Sequence, residues 1–286
     1  MSRTAFKLMG FLATLALVFG AAVAAGSGFG PLRDDDRAAS ADGGMDEHGG
    51  MGEGEHGAAQ PLRGLAVSEG GLTLRLSGRS FAAGATAPLR FRIVDADGVT
   101  VRDFDLEHTR RLHLIVVRRD LSGFQHLHPR QLADGSWSTP LELAEPGTYR
   151  VFADFSHDGS ARTLASDLQA DGQVHSRPLP PVAPVATVDG LEVRLVGATS
   201  RAGEESELSF TVSRDGRPVA LADYLGAKGH LVALREGDLA FLHVHPDADR
   251  LRFMATFPSA GRYRLFLQFR SGGAVHTAAF THEVAG

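Results

Sequence analysis

The stretch Leu112-His113-Leu114-Ile115-Val116-Val117-Arg118-Arg119-Asp120-Leu121-Ser122-Gly123-Phe124-Gln125-His126-Leu127-His128-Pro129 recurs without a gap as Gly229–Pro246. In each copy a histidine (His113, His230) precedes by thirteen positions a His-x-His-Pro (His126, His128, Pro129; His243, His245, Pro246), with Arg118/Arg235 and Phe124/Phe241 between. Six of the thirteen histidines of the chain fall in these two windows, so the chain reads as one unit carried twice.

Within a window, Arg111–Arg118 and Gly123–His128 form the two arms of a hairpin closed by Arg119-Asp120-Leu121-Ser122, with Arg118 facing Gly123 and His113 facing His128. Directly opposed residues share a face with Cβ atoms about 4.5–5.5 Å apart, and His126 points the same way at a diagonal of roughly 7–8 Å. Three imidazoles then converge. The same register in the second copy pairs Arg235 with Ala240 and His230 with His245, and adds His243 on the diagonal. A loop one residue longer would turn the leading histidine to the other face, so the inference rests on register. Three neutral imidazoles on strands suit Cu(II) or Zn(II), with a fourth position left for solvent, a carboxylate or another histidine. His108, His157 and Asp154 in the first repeat and His276 in the second are candidates for it. The competing reading takes these as buried histidines satisfied by backbone carbonyls, because His113 leads an apolar run and His126 lies beside Leu127 and close to Phe124.

With 286 residues the chain has room for two domains. Short alternating runs such as Leu72–Leu76 and Leu89–Val94 read as strands, and turn signals follow closely at Asp95-Ala96-Asp97-Gly98, Asp134-Gly135, Pro146-Gly147 and Asp158-Gly159. No long helical period intervenes. The expected fold is all-β: two tandem immunoglobulin-like or cupredoxin-like antiparallel β-sandwich domains of about seven strands each, at 63–176 and 185–286, joined by a Pro-rich linker at 177–184. Glu145–Phe152 matches Ser259–Phe266, placing Tyr149 and Tyr263 at the entry of a late strand, as in a tyrosine corner.

Ahead of these domains, Arg3 and Lys7 precede an apolar run from Leu8 to Ala25 that ends in Ala22-Val23-Ala24-Ala25, which reads as a signal peptide. A single transmembrane helix within residues 1–25 is the alternative. Either places the remainder outside the cytoplasm, secreted or on the extracellular face of the membrane, with membrane contact through this segment alone. Cysteine is absent, which excludes disulfides, thiolate metal sites and Cys nucleophiles. Residues 26–62 carry no apolar periodicity and read as a disordered tether. Within it Met45, His48, Met51 and His56 interleave thioether and imidazole, a donor set suited to copper in both oxidation states. The net charge of −5 owes much to residues 31–60, and nothing suggests a nucleic-acid footprint.

At the two His-led windows the chain resembles a family of uncharacterised exported or membrane-anchored bacterial proteins with two similar β domains. The residues that carry the likeness are His113–Leu121 through His126-Leu127-His128-Pro129, and Gly229–Arg235 through His243-Val244-His245-Pro246. The resemblance implies association with copper handling, and a membrane copper-handling protein as partner.

The first functional reading is therefore an extracytoplasmic copper-binding protein, with zinc as the second metal. It buffers or delivers ions through a three-histidine site in each domain and a Met/His tail. The second is an immunoglobulin-like extracellular interaction module whose histidines are structural. A cupin-like metalloenzyme ranks below both, because Gln131-Leu132-Ala133-Asp134 after His128 lacks the glutamate such sites use and no repeated carboxylate offers a general base, so no enzyme activity is expected.

Overall fold

The structure, a computed structural model, describes residues 62–286 other than Ala198 and His243, and of His245 the backbone. The apolar segment 1–25, the tether up to residue 61, and with it Met45, His48, Met51 and His56, lie outside the described residues.

Alternation of apolar and polar residues builds the first strands: in Leu72–Leu76, Leu72 and Leu74 are buried while Arg75 faces water. One sheet of the first repeat orders Ser68–Glu69, Leu72–Leu76, Thr86–Val94, Trp137–Glu142 and Arg130–Gln131. The other orders Ser80–Ala82, Ser160–Asp171, Gly147–His157, His113–Arg118 and Gln125–Leu127. The second repeat copies both. Its sheets are Val185–Val188, Leu191–Val196, Glu205–Arg214, Arg252–Thr256 and His245–Pro246, with Arg217–Pro218 added, and Ser200–Arg201, Ala274–Ala285, Gly261–Ser271, Gly229–Arg235 and Phe241–Leu242. Pairing is antiparallel except where Ser80–Ala82 and Ser200–Arg201 run parallel to the last strand of their repeat. These are two tandem immunoglobulin-like sandwiches, and no helix occurs among the described residues. The strands outnumber the expected seven because runs split where the chain changes sheet, as between Leu72–Leu76 and Ser80–Ala82 and between Gln125–Leu127 and Arg130–Gln131.

Both tyrosine corners form. The Tyr149 hydroxyl donates to Glu145 O at 2.9 Å and accepts from Glu145 N at 3.2 Å, and the Tyr263 hydroxyl donates to Ser259 O at 3.0 Å. Each sandwich encloses its own core.

A third core lies between the repeats. Strand His113–Arg118 is buried at every position. Leu114 and Val116 face into their own sandwich, whereas Ile115 and Val117 point outward and join Phe152, Val232, Leu234, Phe241 and Phe266 in an apolar cluster of their own. The contact is reciprocal. Phe124 stacks on Phe266 with ring centroids 4.1 Å apart, and Phe241, the counterpart of Phe124, lies 5.5 Å from Phe152, the counterpart of Phe266. The repeats thus pack sheet to sheet about a pseudo-two-fold axis, as in an isologous dimer. The connection from Gln173 to Ala183 has no regular structure, and Leu179 within it packs on the third core.

Candidate metal centre

The first hairpin pairs Leu114 with Leu127, Ile115 with His126 and Val116 with Gln125, the register read from the sequence. Its turn is closed locally. Leu121 N donates to Arg118 O at 2.8 Å, and Asp120 Oδ1 accepts from Ser122 N and Oγ at 3.2 and 2.6 Å. That register puts His113 and His126 on the face that carries Ile115 and Val117, so the imidazoles look out of the first sandwich toward the second repeat. One ring nitrogen from each of His113, His126 and His128 lies within 4.8 Å of the other two, and they are the one such group among the described residues.

The hydrogen bonds around these rings favour one placement of their protons. His126 Nδ1 lies 2.6 Å from Gln268 Oε1, an amide whose Nε2 donates to Thr277 Oγ1 at 3.1 Å, so Nδ1 carries a proton and donates it. His113 Nε2 lies 3.4 Å from Glu107 O and donates likewise. The remaining nitrogens, His113 Nδ1 and His126 Nε2, then aim lone pairs at each other across 2.9 Å. His128 Nε2 is buried with no hydrogen-bond partner. In His113 and His126 the outer proton is thus held by an oxygen and the inner lone pair is free, the arrangement that histidine ligands of metal sites share. Tetrahedral ligation at 2.0–2.1 Å needs nitrogen separations of about 3.3–3.4 Å, a few tenths of an ångström wider than the closest pair.

Burial keeps the cluster neutral. It pulls His113 down to about 4, with the His128 charge adding to the effect, and His126 to about 3, with His113 and His128 adding. His128 falls to about 4, from burial and then the Arg110 charge, and burial holds His230 well below its ordinary value.

Two separate three-histidine sites were expected, one led by His113 and one by His230. The structure brings His230 to the first group: its ring stacks on His113 at 5.5 Å and 10°, and lies 4.7 Å from His126. The leading histidines of the two repeats meet at the pseudo-axis. The second hairpin keeps the expected register, Ala233 with Leu242 and Leu234 with Phe241, but its ladder stops there. His245 pairs with Met254 in the opposite sheet, so the expected cross-strand pair of His230 with His245 is not formed. His243 and the ring of His245 lie outside the described residues.

Of the other candidates, His108 joins the cluster, 6.3 Å from His113 and 6.0 Å from His230. It sits in the tight turn Glu107–Arg110, with φ of 46° at His108 and 67° at Thr109. The counterpart turn, Tyr224–Ala227, holds Leu225 and Gly226 there, and the two turns approach each other at Thr109 and Gly226. Asp154 faces His113 across the ladder but accepts from Thr163 Oγ1 at 2.7 Å, and burial pushes its carboxyl up to about 6. His157 turns to Asp103 O, and His276 is engaged at both nitrogens by Asp189 and Ser271 O, so neither belongs to the cluster. Gln268 and the crossing of His230 had no counterpart in the sequence reading. The signal for the crossing was the run Leu114-Ile115-Val116-Val117, apolar on both faces, in a fold whose outer faces should be wet.

No curated protein matches the chain. Among solved structures, the Escherichia coli adhesin FdeC is 17% identical over 77% of this chain and 66% of its own, with a TM-score of 0.27. Fibronectin(III)-like modules of Clostridium thermocellum CbhA are 10% identical, covering 74% of this chain and 93% of theirs, at 0.23. The D0-D1 domain of intimin is 14% identical, covering 74% and 97%, at 0.23. The chain spans 66% of the adhesin chain, and likeness this low carries nothing about what it binds. A family model, by contrast, matches residues 66–172 and again 186–286, the two sandwiches that meet at the histidine cluster, and the chain therefore belongs to the family described as Domain of unknown function (DUF8832).

Proposed function

We propose that this protein binds copper outside the cytoplasm through His113, His126 and His128, and that it buffers or delivers the ion without catalysing a reaction on it. The observation that carries the reading is the buried, unpartnered Nε2 of His128 beside two inward lone pairs whose outer protons are already held by Gln268 and Glu107. An all-nitrogen donor set without thiolate favours Cu(II), with Zn(II) next in affinity. Met45, His48, Met51 and His56 would extend the capacity to Cu(I) through thioether sulfur, ahead of hand-over to a membrane copper-handling protein. Titration of the purified chain with Cu(II) and Zn(II), with bound metal measured by mass spectrometry, tests this. One equivalent retained by a chain bearing His48→Ala and His56→Ala, and lost on His128→Ala, is the expected result; no retention there overturns it.

A second reading has its own observation. The 2.9 Å contact between His113 Nδ1 and His126 Nε2 becomes an ordinary hydrogen bond if one proton lies between them, which suits structural histidines in an immunoglobulin-like extracellular interaction module. In that case neither metal is retained, and His113→Gln lowers stability without changing metal content.

A further inference from the structure

We propose that the centre belongs to both repeats: Gln268 of the second repeat is a positioning residue for the ligand His126 of the first, so that a bound metal ion fastens the two sandwiches together. The inference rests on the copper reading above and adds to it a partner residue and a consequence.

The geometry begins with the ladder. Gln268 pairs across the strand with His230, on the face of the second repeat that looks at the first. It is buried, its amide nitrogen is spent on Thr277, and its Oε1 has His126 Nδ1 2.6 Å away. An acceptor at that distance holds the proton on Nδ1, leaves Nε2 free as the ligand atom, and fixes the plane of the ring. The counterpart of Gln268 in the first repeat is Asp154, which faces His113 as Gln268 faces His230. Asp154 is bonded through Oδ1 to Thr163 as Gln268 is bonded to Thr277, and among the described residues it is Gln268, from the second repeat, that offers an oxygen to an imidazole of the cluster. His230 flanks the same side, its ring 4.7 Å from that of His126.

Because His126 is then held at one nitrogen by the metal and at the other by the second repeat, occupancy and inter-repeat contact reinforce one another. Metal binds the assembled arrangement more tightly than an opened one, and must stabilise it by the same factor.

The test uses the full chain with His48→Ala and His56→Ala, titrated with Cu(II) against a competing chelator and followed by electron paramagnetic resonance and thermal melting. Gln268→Leu should weaken Cu(II) binding about 10–100-fold, the range seen when such outer hydrogen bonds are lost, and should alter the copper spectrum. The metal-induced rise in melting temperature should shrink with it. Gln268→Glu, which retains an acceptor oxygen, should restore the native spectrum. Metal-free melting of each variant separates misfolding from loss of positioning, and Gln268→Glu decides the matter if Gln268→Leu unfolds. If the parent binds copper but both variants match it in affinity, spectrum and thermal shift, the shared centre is wrong and the copper reading stands. If the parent retains no copper, the copper reading itself falls and takes this inference with it.

Discussion

His126 and His128 lie two positions apart, yet losing them should cost different things. His128 has a buried nitrogen that nothing satisfies, so His128→Ala removes a proposed ligand and an unpaired polar atom together. We expect copper affinity to fall by at least about 10-fold with metal-free stability changed by less than about 1 kcal/mol. His126→Ala leaves the buried Gln268 oxygen without its donor, and should cost about 1–3 kcal/mol of metal-free stability as well as the metal. Chemical denaturation of the two variants, side by side, checks the contrast. The cluster also sets a pH dependence. His113, at about 4 when folded, lies below its ordinary 6.5, so between these values the unfolded chain binds more protons. Stability is therefore complete above pH 6.5 and falls as pH drops toward 4. At pH 5 this one histidine accounts for on the order of 2 kcal/mol, or several degrees of melting temperature. Calorimetry at pH 7 and pH 5 should show that drop, and saturating Cu(II) should raise the melting temperature at both pH values and lose its effect only toward pH 4, where the folded histidines take up protons. A melting temperature unchanged by acid would contradict the neutral cluster.

Among the elements, the hairpins and corners were readable because everything that sets them is local. Leu114 to Val117 with Arg119-Asp120-Leu121-Ser122 specify arms and turn within a few residues, and Tyr149 reaches back only to Glu145. Tyr149→Phe should cost about 1–3 kcal/mol, since it strands the Glu145 N–H as well as its carbonyl, and Tyr263→Phe nearer 1 kcal/mol, because the Ser259 hydroxyl keeps its bond to Arg235 and only the Ser259 carbonyl is stranded. Urea melts give both numbers. The turn Glu107–Arg110 was not readable: neither His108 nor Thr109 is a residue that invites positive φ at adjacent positions. A β-branched residue at 67° is strained, and the second repeat places Gly226 there instead. Thr109→Gly should accordingly stabilise the chain by about 0.5–1 kcal/mol, the left-handed penalty less the added freedom of glycine when unfolded. What no local pattern could supply was the destination of His230. Its own hairpin register was correct, but its neighbours came from a strand more than a hundred positions earlier, chosen by the outward Val232 and Leu234.

For the whole molecule, the third core makes the two sandwiches one body and makes the linker dispensable as a fastener. The connection from Gln173 to Ala183 carries no ladder, and the aromatic pairs Phe124 with Phe266 and Phe152 with Phe241 hold the faces together. Proteolysis engineered between Pro180 and Pro181 should leave the two pieces co-eluting at their joint size in gel filtration. Phe124→Asp, which buries a charge in that core, should release them. Separate elution after cleavage of the otherwise native chain would show the interface to be too weak. The reciprocal packing has one more consequence. In a true dimer of identical chains every substitution appears on both sides of the axis, so a residue useful at one site is imposed at the other. A tandem copy is free of that bond. Leu225 can stand where the first half has His108, and Gln268 where it has Asp154, without disturbing the matched aromatic pairs around them. One half can in this way keep its histidines while the other is retailored to pack against them.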